Sequence, residues 1–242
     1  KTTPSLVLPS HPLAKGLVGC WLLNEGSGGT VLDSSGHGLH LTHYNGPAWA
    51  VTEAGLAVQY DDAFSQYSQI DRTPVTSVPL TMNVWFVPTD LSVNEALMAV
   101  CTSSSTGNWW FLGFYGGAAL DIIAHIKNAS GAASGYAQST AGPTALGQLC
   151  MATAVFDSDS SRRAYFNGGH VGSDTTPVPV TITVNRICLG RMGDSSPSSY
   201  ASCRMVAAML YNRALTVSEI ARLYRDPFAF LQKPGLWAPV GG

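Results

Sequence analysis

The sequence predicts an all-β fold, a sandwich or barrel with one short C-terminal helix. Three observations carry that reading. Short apolar runs recur down the chain at fairly regular spacing, separated by clusters of Asn, Asp, Gly, Ser and Pro, the punctuation of many turns. Charged residues are only 12% of the 242-residue chain, about half the usual globular share of roughly 25%. A helix-start signature occurs at a single place, near the C-terminus.

In chain order, residues 1–15 contain three prolines and no periodicity, and read as an extended arm. Gly16–Leu23 is a glycine-bounded apolar run, the signature of a buried strand. Gly26, Gly28, Gly29 and Asp33-Ser-Ser-Gly36 form a dense turn cluster. Further strands are expected at Gly55–Tyr60, Tyr67–Ile70, Leu80–Val87, Ala96–Cys101, Trp109–Tyr115, Ala118–Lys127, Cys150–Asp157, Arg162–Phe166, Thr181–Gly190 and Arg204–Tyr211. Ala152–Gly168 is a hairpin signal, and Asn167-Gly168 then gives a turn that tolerates positive φ. Thr216-Val-Ser-Glu219 is a capping box, in which the threonine and glutamate side chains satisfy the first free amides of a helix. Ile220, Leu223 and Tyr224 then make one apolar face, and Pro227 stops the helix. The expected organisation is an arm over 1–15, a sandwich over 16–226 and a tail over 227–242. No internal repeat of solenoid or propeller period occurs.

Composition narrows the partners. The net charge is −2, and the 13 basic residues form no run. Nucleic-acid binding, which rests on many Lys/Arg–phosphate contacts, is not expected. Apolar stretches such as Leu146–Phe156 fall well short of the ~20 residues of a membrane helix, so no membrane insertion is expected. Residues 1–10 carry one basic residue and a short apolar patch broken by Pro9, which is not a signal peptide. Either a signal has been removed, or the protein never uses that route. The five cysteines, Cys20, Cys101, Cys150, Cys188 and Cys203, lack C-x-x-C spacing. That argues against a structural zinc. They read as free buried thiols, with one disulfide left open.

Four segments, in order, resemble the laminin-G-like, concanavalin A-like jelly-roll superfamily. They are Gly16-Leu-Val-Gly-Cys-Trp-Leu-Leu-Asn-Glu-Gly-Ser-Gly, Asp33-Ser-Ser-Gly-His-Gly-Leu-His, the hairpin from Ala154-Val-Phe-Asp to Tyr165-Phe-Asn-Gly, and Leu210-Tyr-Asn-Arg-Ala-Leu-Thr-Val-Ser-Glu-Ile-Ala-Arg-Leu-Tyr. Each is weak alone; together they span nearly the whole chain. The resemblance implies a two-sheet antiparallel jelly-roll sandwich, the first strand pairing near the last and the helix following the final strand. It also implies non-enzymatic modules that bind glycans or proteins, often with calcium, on secreted proteins, cell surfaces and phage particles. The ending Leu223-Tyr-Arg-Asp-Pro-Phe-Ala-Phe is similar to endings of phage and environmental members. The chain departs from the family pattern at Leu149-Cys150, where a Trp-His pair is usual, and at His37 and Leu39, where asparagines are common.

Candidate chemistry is sparse. Glycoside hydrolysis needs two carboxyl groups flanking the bond, which on a strand shows as Glu-x-Asp-x-Glu because alternate residues share a face. Glu25, Glu53, Glu95 and Glu219 are isolated from one another, and Asp157-x-Asp159 reads as turn chemistry. Gly-x-Ser-x-Gly is absent. His37, His40 and His43 read as loop histidines, and His125 as a satisfied core residue. For calcium, which takes hard oxygens from loops, the candidates are Asn24, Glu25 and Asp33 in one loop and Asp61 and Asp62 in another; the alternative is that Asp33 caps its own turn. No cofactor is required on this reading, and calcium is the candidate ion.

Sugars stack on exposed aromatic faces. Trp109, Trp110 and Tyr115 are the binding candidates, and because neighbours on a strand face opposite ways, one tryptophan is expected inside and one outside. Trp21, Trp49 and Trp85 are assigned to the core. Phe228, Phe230 and Trp237 on the tail must pack somewhere, on the same sandwich or on a partner. The sequence thus points to a non-catalytic binding or structural module, displayed on a virion or cell surface as a subunit of a larger assembly and acting in adhesion or decoration. The alternative is a carbohydrate-binding, lectin-like module. The expected partner is a glycan or a protein.

Overall fold

The computed structural model describes residues 7–92, 94–115, 120–128, 133–178 and 183–231. Its strands, in chain order, are β1 (Leu17–Trp21), β2 (Thr30–Val31), β3 (Leu41–Tyr44), β4 (Ala48–Thr52), β5 (Gly55–Tyr60), β6 (Tyr67–Ile70), β7 (Leu80–Pro88) and β8 (Glu95–Cys101). They continue with β9 (Trp109–Phe114), β10 (Ile122–Lys127), β11 (Ser134–Gln138), β12 (Cys150–Ser158), β13 (Ser161–Phe166), β14 (Gly169–Asp174), β15 (Arg186–Leu189) and β16 (Cys203–Tyr211). One helix, α1 (Val217–Arg225), follows.

The strands form two antiparallel sheets. Sheet I runs β14-β13-β12-β7-β16-β5-β4, with β1 also pairing on β16; sheet II runs β11-β10-β9-β8-β15-β6-β3-β2. This is the jelly-roll sandwich, with the first strand on the last and the helix after it, as expected. The expected strands are present, several with narrower bounds: β10 starts at Ile122, and β15 covers Arg186–Leu189 of the longer Thr181–Gly190 run. Five strands escaped the sequence reading. All of them, β2, β3, β4, β11 and β14, lie at or next to sheet edges. An edge strand buries little, so sequences such as Ser134-Gly-Tyr-Ala-Gln138 and Gly169-His-Val-Gly-Ser-Asp174 lack an apolar signal.

The strongest runs are central strands buried on both faces. In β12, Cys150, Ala152, Ala154 and Phe156 fill the space between the sheets, while Met151 and Val155 face the other way into a second cluster. That cluster covers the outer face of sheet I. Leu13, Ile220, Leu223 and Phe230 pack there over Trp85, Met209 and Tyr211, and the Tyr224 ring stacks on Trp85 at 5.8 Å. The arm and the tail meet on this face: the Leu8 N–H donates to the Phe230 carbonyl at 2.7 Å, and Val7 bridges Leu231. Arg213 grips Glu219 of the capping box at 2.7 and 2.9 Å and reaches the Lys15 carbonyl at 2.6 Å. The Asn167-Gly168 turn links β13 to β14, and both residues have positive φ, +48° and +75°.

Sheet II is left with an outer face of its own, and there the third cluster lies: Ala96, Ala99, Cys101, Trp109, Phe111, Cys188 and Met192.

Candidate functional site

Alternation along β9 builds the site. Trp110, Leu112 and Phe114 point between the sheets. Trp109 and Phe111 point outward, and Tyr115 continues the same parity. Gly113 is their spacer: a Cβ there would lie 2.5 Å from the Phe111 ring and would collide with the Glu95 carbonyl. Glycine lets the Phe111 ring lie flat along the strand. Antiparallel register then sets His125 of β10 opposite Phe111, and Tyr136 of β11 opposite His125. The rings meet edge to face: Trp109–His125 at 4.6 Å, His125–Tyr136 at 5.6 Å and Tyr115–Tyr136 at 6.2 Å.

A wall rises beside them. Residues 192–198 form a small loop closed by the Met192 N–H to Ser198 carbonyl bond of 2.9 Å, and the Ala96 N–H ties the loop to β8 through the Ser199 carbonyl, also 2.9 Å. Between wall and rings is a groove of about 180 Å³, lined by Asn94, Trp109, Phe111, Tyr115, His125, Met192, Ser198 and Ser199. Trp109 is 7% exposed and forms the groove's floor, whereas Tyr136 stands at its rim, 48% exposed. Burial and the nearby cations Lys127 and Arg162 push the His125 pKa down to about 4, so the ring is neutral at physiological pH. Its Nε2 is buried without a hydrogen-bond partner, so the expectation of a satisfied core histidine is corrected: the polar edge is enclosed by aromatic rings.

The two tryptophans divide as alternation requires. Trp110 is wholly buried between the sheets and cannot touch a ligand, which corrects its place among the binding candidates. Trp109 and Tyr115 do share the groove. Phe111, His125, Tyr136, Met192, Asn94 and the two serines were missed. Phe111 shares the parity of Trp109 and was legible; the others arrive through register and a loop.

The carboxylates named for calcium sit in separate hydrogen-bond networks. Asp33 accepts from the backbone N–H groups of Cys20 (3.0 Å), Ser35 (2.8 Å) and Leu39 (3.0 Å) and from the Ser35 hydroxyl (2.8 Å). Its oxygens are already engaged by the turn it organises. Glu25 accepts from the Leu32 N–H at 2.7 Å, and Asn24 is exposed. Asp61 caps a short 3-10 turn through the Ala63 N–H at 3.0 Å, and Asp62 accepts from the Ser202 hydroxyl at 2.6 Å. Among the described residues, no three His, Cys, Asp or Glu side chains gather to hold a metal ion. Of the clustered histidines, His37 stays on the exposed turn, His40 Nδ1 accepts from the Asp33 N–H at 2.9 Å, and His43 lies in β3 beside Ser68 at 2.7 Å.

Asp157 is held by both ends of the Arg163 guanidinium, at 2.8 and 3.1 Å, at the β12–β13 turn. Glu95 is wholly buried, and neither of its oxygens makes a hydrogen bond of good geometry. Burial pushes its pKa up to about 9; the Ser202 backbone offsets this in part, and Asp90 and Asp62 add to it. All five cysteines are free and buried. Of the tail residues named as partner contacts, Phe230 is wholly buried against its own sheet, a correction to the partner role; Phe228 is half exposed, and Trp237 lies outside the described residues. Trp21 is in the core and Trp85 lies under the helix, while Trp49 is only partly buried against the core.

A family model, Laminin_G_3, described as the concanavalin A-like lectin/glucanases superfamily, matches residues 61–221. The comparison with curated proteins found no match. Among solved structures, the chain is similar to domain 4 of AbnA, an extracellular arabinanase from Geobacillus stearothermophilus, in complex with arabinotriose. That likeness has a TM-score of 0.65 at 16% identity, over 86% of this chain and 98% of that one. The binding domain of Paraclostridial Mosquitocidal Protein 1 gives 0.69 at 14% identity, over 90% of this chain and 53% of that one. A structure of botulinum neurotoxin type C, whose cell entry depends on interaction with two ganglioside molecules, gives 0.65 at 9% identity, over 88% and 52%. The chain thus spans about half of each toxin chain, and at these identities the likeness is one of fold.

Proposed function

The chain belongs to the concanavalin A-like lectin/glucanases superfamily, and from that premise we propose that it is a non-catalytic carbohydrate-binding module whose site is the groove on the outer face of sheet II. The observation that carries the reading is the convergence of Trp109, Tyr115 and His125 from two strands on one uncharged groove edged by Asn94, Ser198 and Ser199. Sugar rings present apolar C–H faces and a rim of hydroxyls, so they are recognised by aromatic walls with a few placed polar groups. No paired carboxylates face this groove among its lining residues, the arrangement that hydrolysis would need.

The described parts of the arm (7–15) and tail (227–231) dock with α1 on sheet I, so an attachment on that side leaves the groove free. This layout supports a role in adhesion, with the domain displayed on a virion or cell surface as part of a larger assembly. No metal is needed for such a groove.

The test is a glycan array probed with the purified chain, in calcium and again in chelator. Saturable binding that Trp109→Phe weakens, with the fold retained by circular dichroism, supports the proposal. A blank array in both buffers, with folded protein, refutes it.

A further inference from the structure

The groove also constrains which glycan it takes, and this inference rests on the carbohydrate-binding reading above. None of the described residues that line it carries a formal charge at neutral pH. Lys127, cross-strand from Trp109 and two residues beyond His125, is not among them. A carboxylate or sulfate brought into this groove would lose water and find no cation among the described lining residues, Lys127 and Arg162 acting on His125 only from outside them, which is costly. A neutral hydroxyl loses little and meets Asn94, Ser198 and Ser199.

The rings have a direction as well. Tyr136, His125 and Trp109 lie on three consecutive strands, β11, β10 and β9, with ring centroids 5.6 Å and 4.6 Å apart. Neighbouring strands are about 4.8 Å apart, so the ladder runs for about 10 Å across the sheet rather than along it. The groove is about 180 Å³, and Tyr136 stands just outside its lining, against the His125 and Tyr115 rings and half exposed.

We propose that this groove selects a neutral oligosaccharide of at least two rings, laid across β9, β10 and β11, with one ring in the pocket over Trp109 and the next against Tyr136. Tyr136 is then the residue that reads chain length. Its exposure means that it can be removed without opening the core.

The experiment titrates the full chain with matched probes: neutral glucose and galactose oligosaccharides of one to four rings, oligogalacturonides of the same lengths, and lactose against sialyl-lactose. The expected result is binding of a neutral series, at least tenfold tighter for two rings than for one, with the acidic counterparts at least tenfold weaker. Tyr136→Ala should weaken the two-ring probe about fivefold to tenfold, the scale of one aromatic contact, and leave the one-ring probe within twofold. Acidic probes that bind as tightly as neutral ones would overturn the inference and leave the carbohydrate-binding reading standing. So would one-ring and two-ring probes of equal affinity, or a Tyr136→Ala variant that weakens both alike. No binding to any probe would sink both readings.

Discussion

Glu95→Gln should make this protein more stable, even though it alters a fully buried residue. The Glu95 carboxyl is buried without a hydrogen bond of good geometry, and its pKa is pushed up to about 9 from an ordinary 4.5. At pH 7 the folded state therefore holds a proton that the unfolded chain releases. The sign follows from linkage. Between pH 4.5 and 9 the folded state binds more protons, so stability falls as pH rises, by about 1.4 kcal/mol per unit. From 4.5 to 7 that amounts to about 3 kcal/mol. Glutamine has nearly the same shape and never ionises, so the variant escapes the penalty. For a chain of this size the gain corresponds to a rise in Tm on the order of 6–12 °C. The assay is urea denaturation of both proteins from pH 4.5 to 8.5. The difference between them cancels every other titrating group. It should be near zero at pH 4.5 and grow to about 3 kcal/mol by pH 7. A difference that is flat with pH, or a variant less stable at pH 7, would refute the argument.

Three further outcomes follow from the structure. Arg213→Ala removes a two-pronged grip on Glu219 and the tie to the Lys15 carbonyl, and should cost about 1–3 kcal/mol by denaturation. The Arg213 pairing holds the Glu219 pKa down to about 2, so this stability is present above pH 4.5 and lost as pH falls toward 2. A difference between wild type and Arg213→Ala that does not shrink between pH 5 and pH 2 would contradict the assignment; the part owed to the Lys15 carbonyl persists. Gly113→Ala forces a Cβ against the Phe111 ring and the Glu95 carbonyl. It should destabilise by about 1–3 kcal/mol and abolish glycan binding; a folded variant that still binds would show that the groove does not depend on that close approach. Calcium and chelator should leave Tm unchanged, because the Asp33 oxygens are already taken by four protein donors. A calcium-dependent rise of several degrees in differential scanning fluorimetry would count against this.

What the sequence determined by itself was whatever repeats locally. Central strands such as β7, β12 and β16 are buried on both faces, so each appears as one continuous apolar run. The Asn167-Gly168 turn and the Thr216–Glu219 capping box are set by residues within a few positions of each other. Alternation along one strand was enough to part Trp109 from Trp110. Tertiary structure decided everything that depends on which strands become neighbours. Edge strands such as β11 and β14 bury too little to mark themselves, and without β11 there is no Tyr136 beside His125. Met192, Ser198 and Ser199 reach the groove on a loop, more than 70 residues from Trp109 in the chain. From its loop alone, Asp33 reads either as a calcium ligand or as the cap of its own turn. Only the tertiary structure brings the Cys20 and Leu39 amides to its oxygens, because a carboxylate's partners are set by the donors that surround it in space.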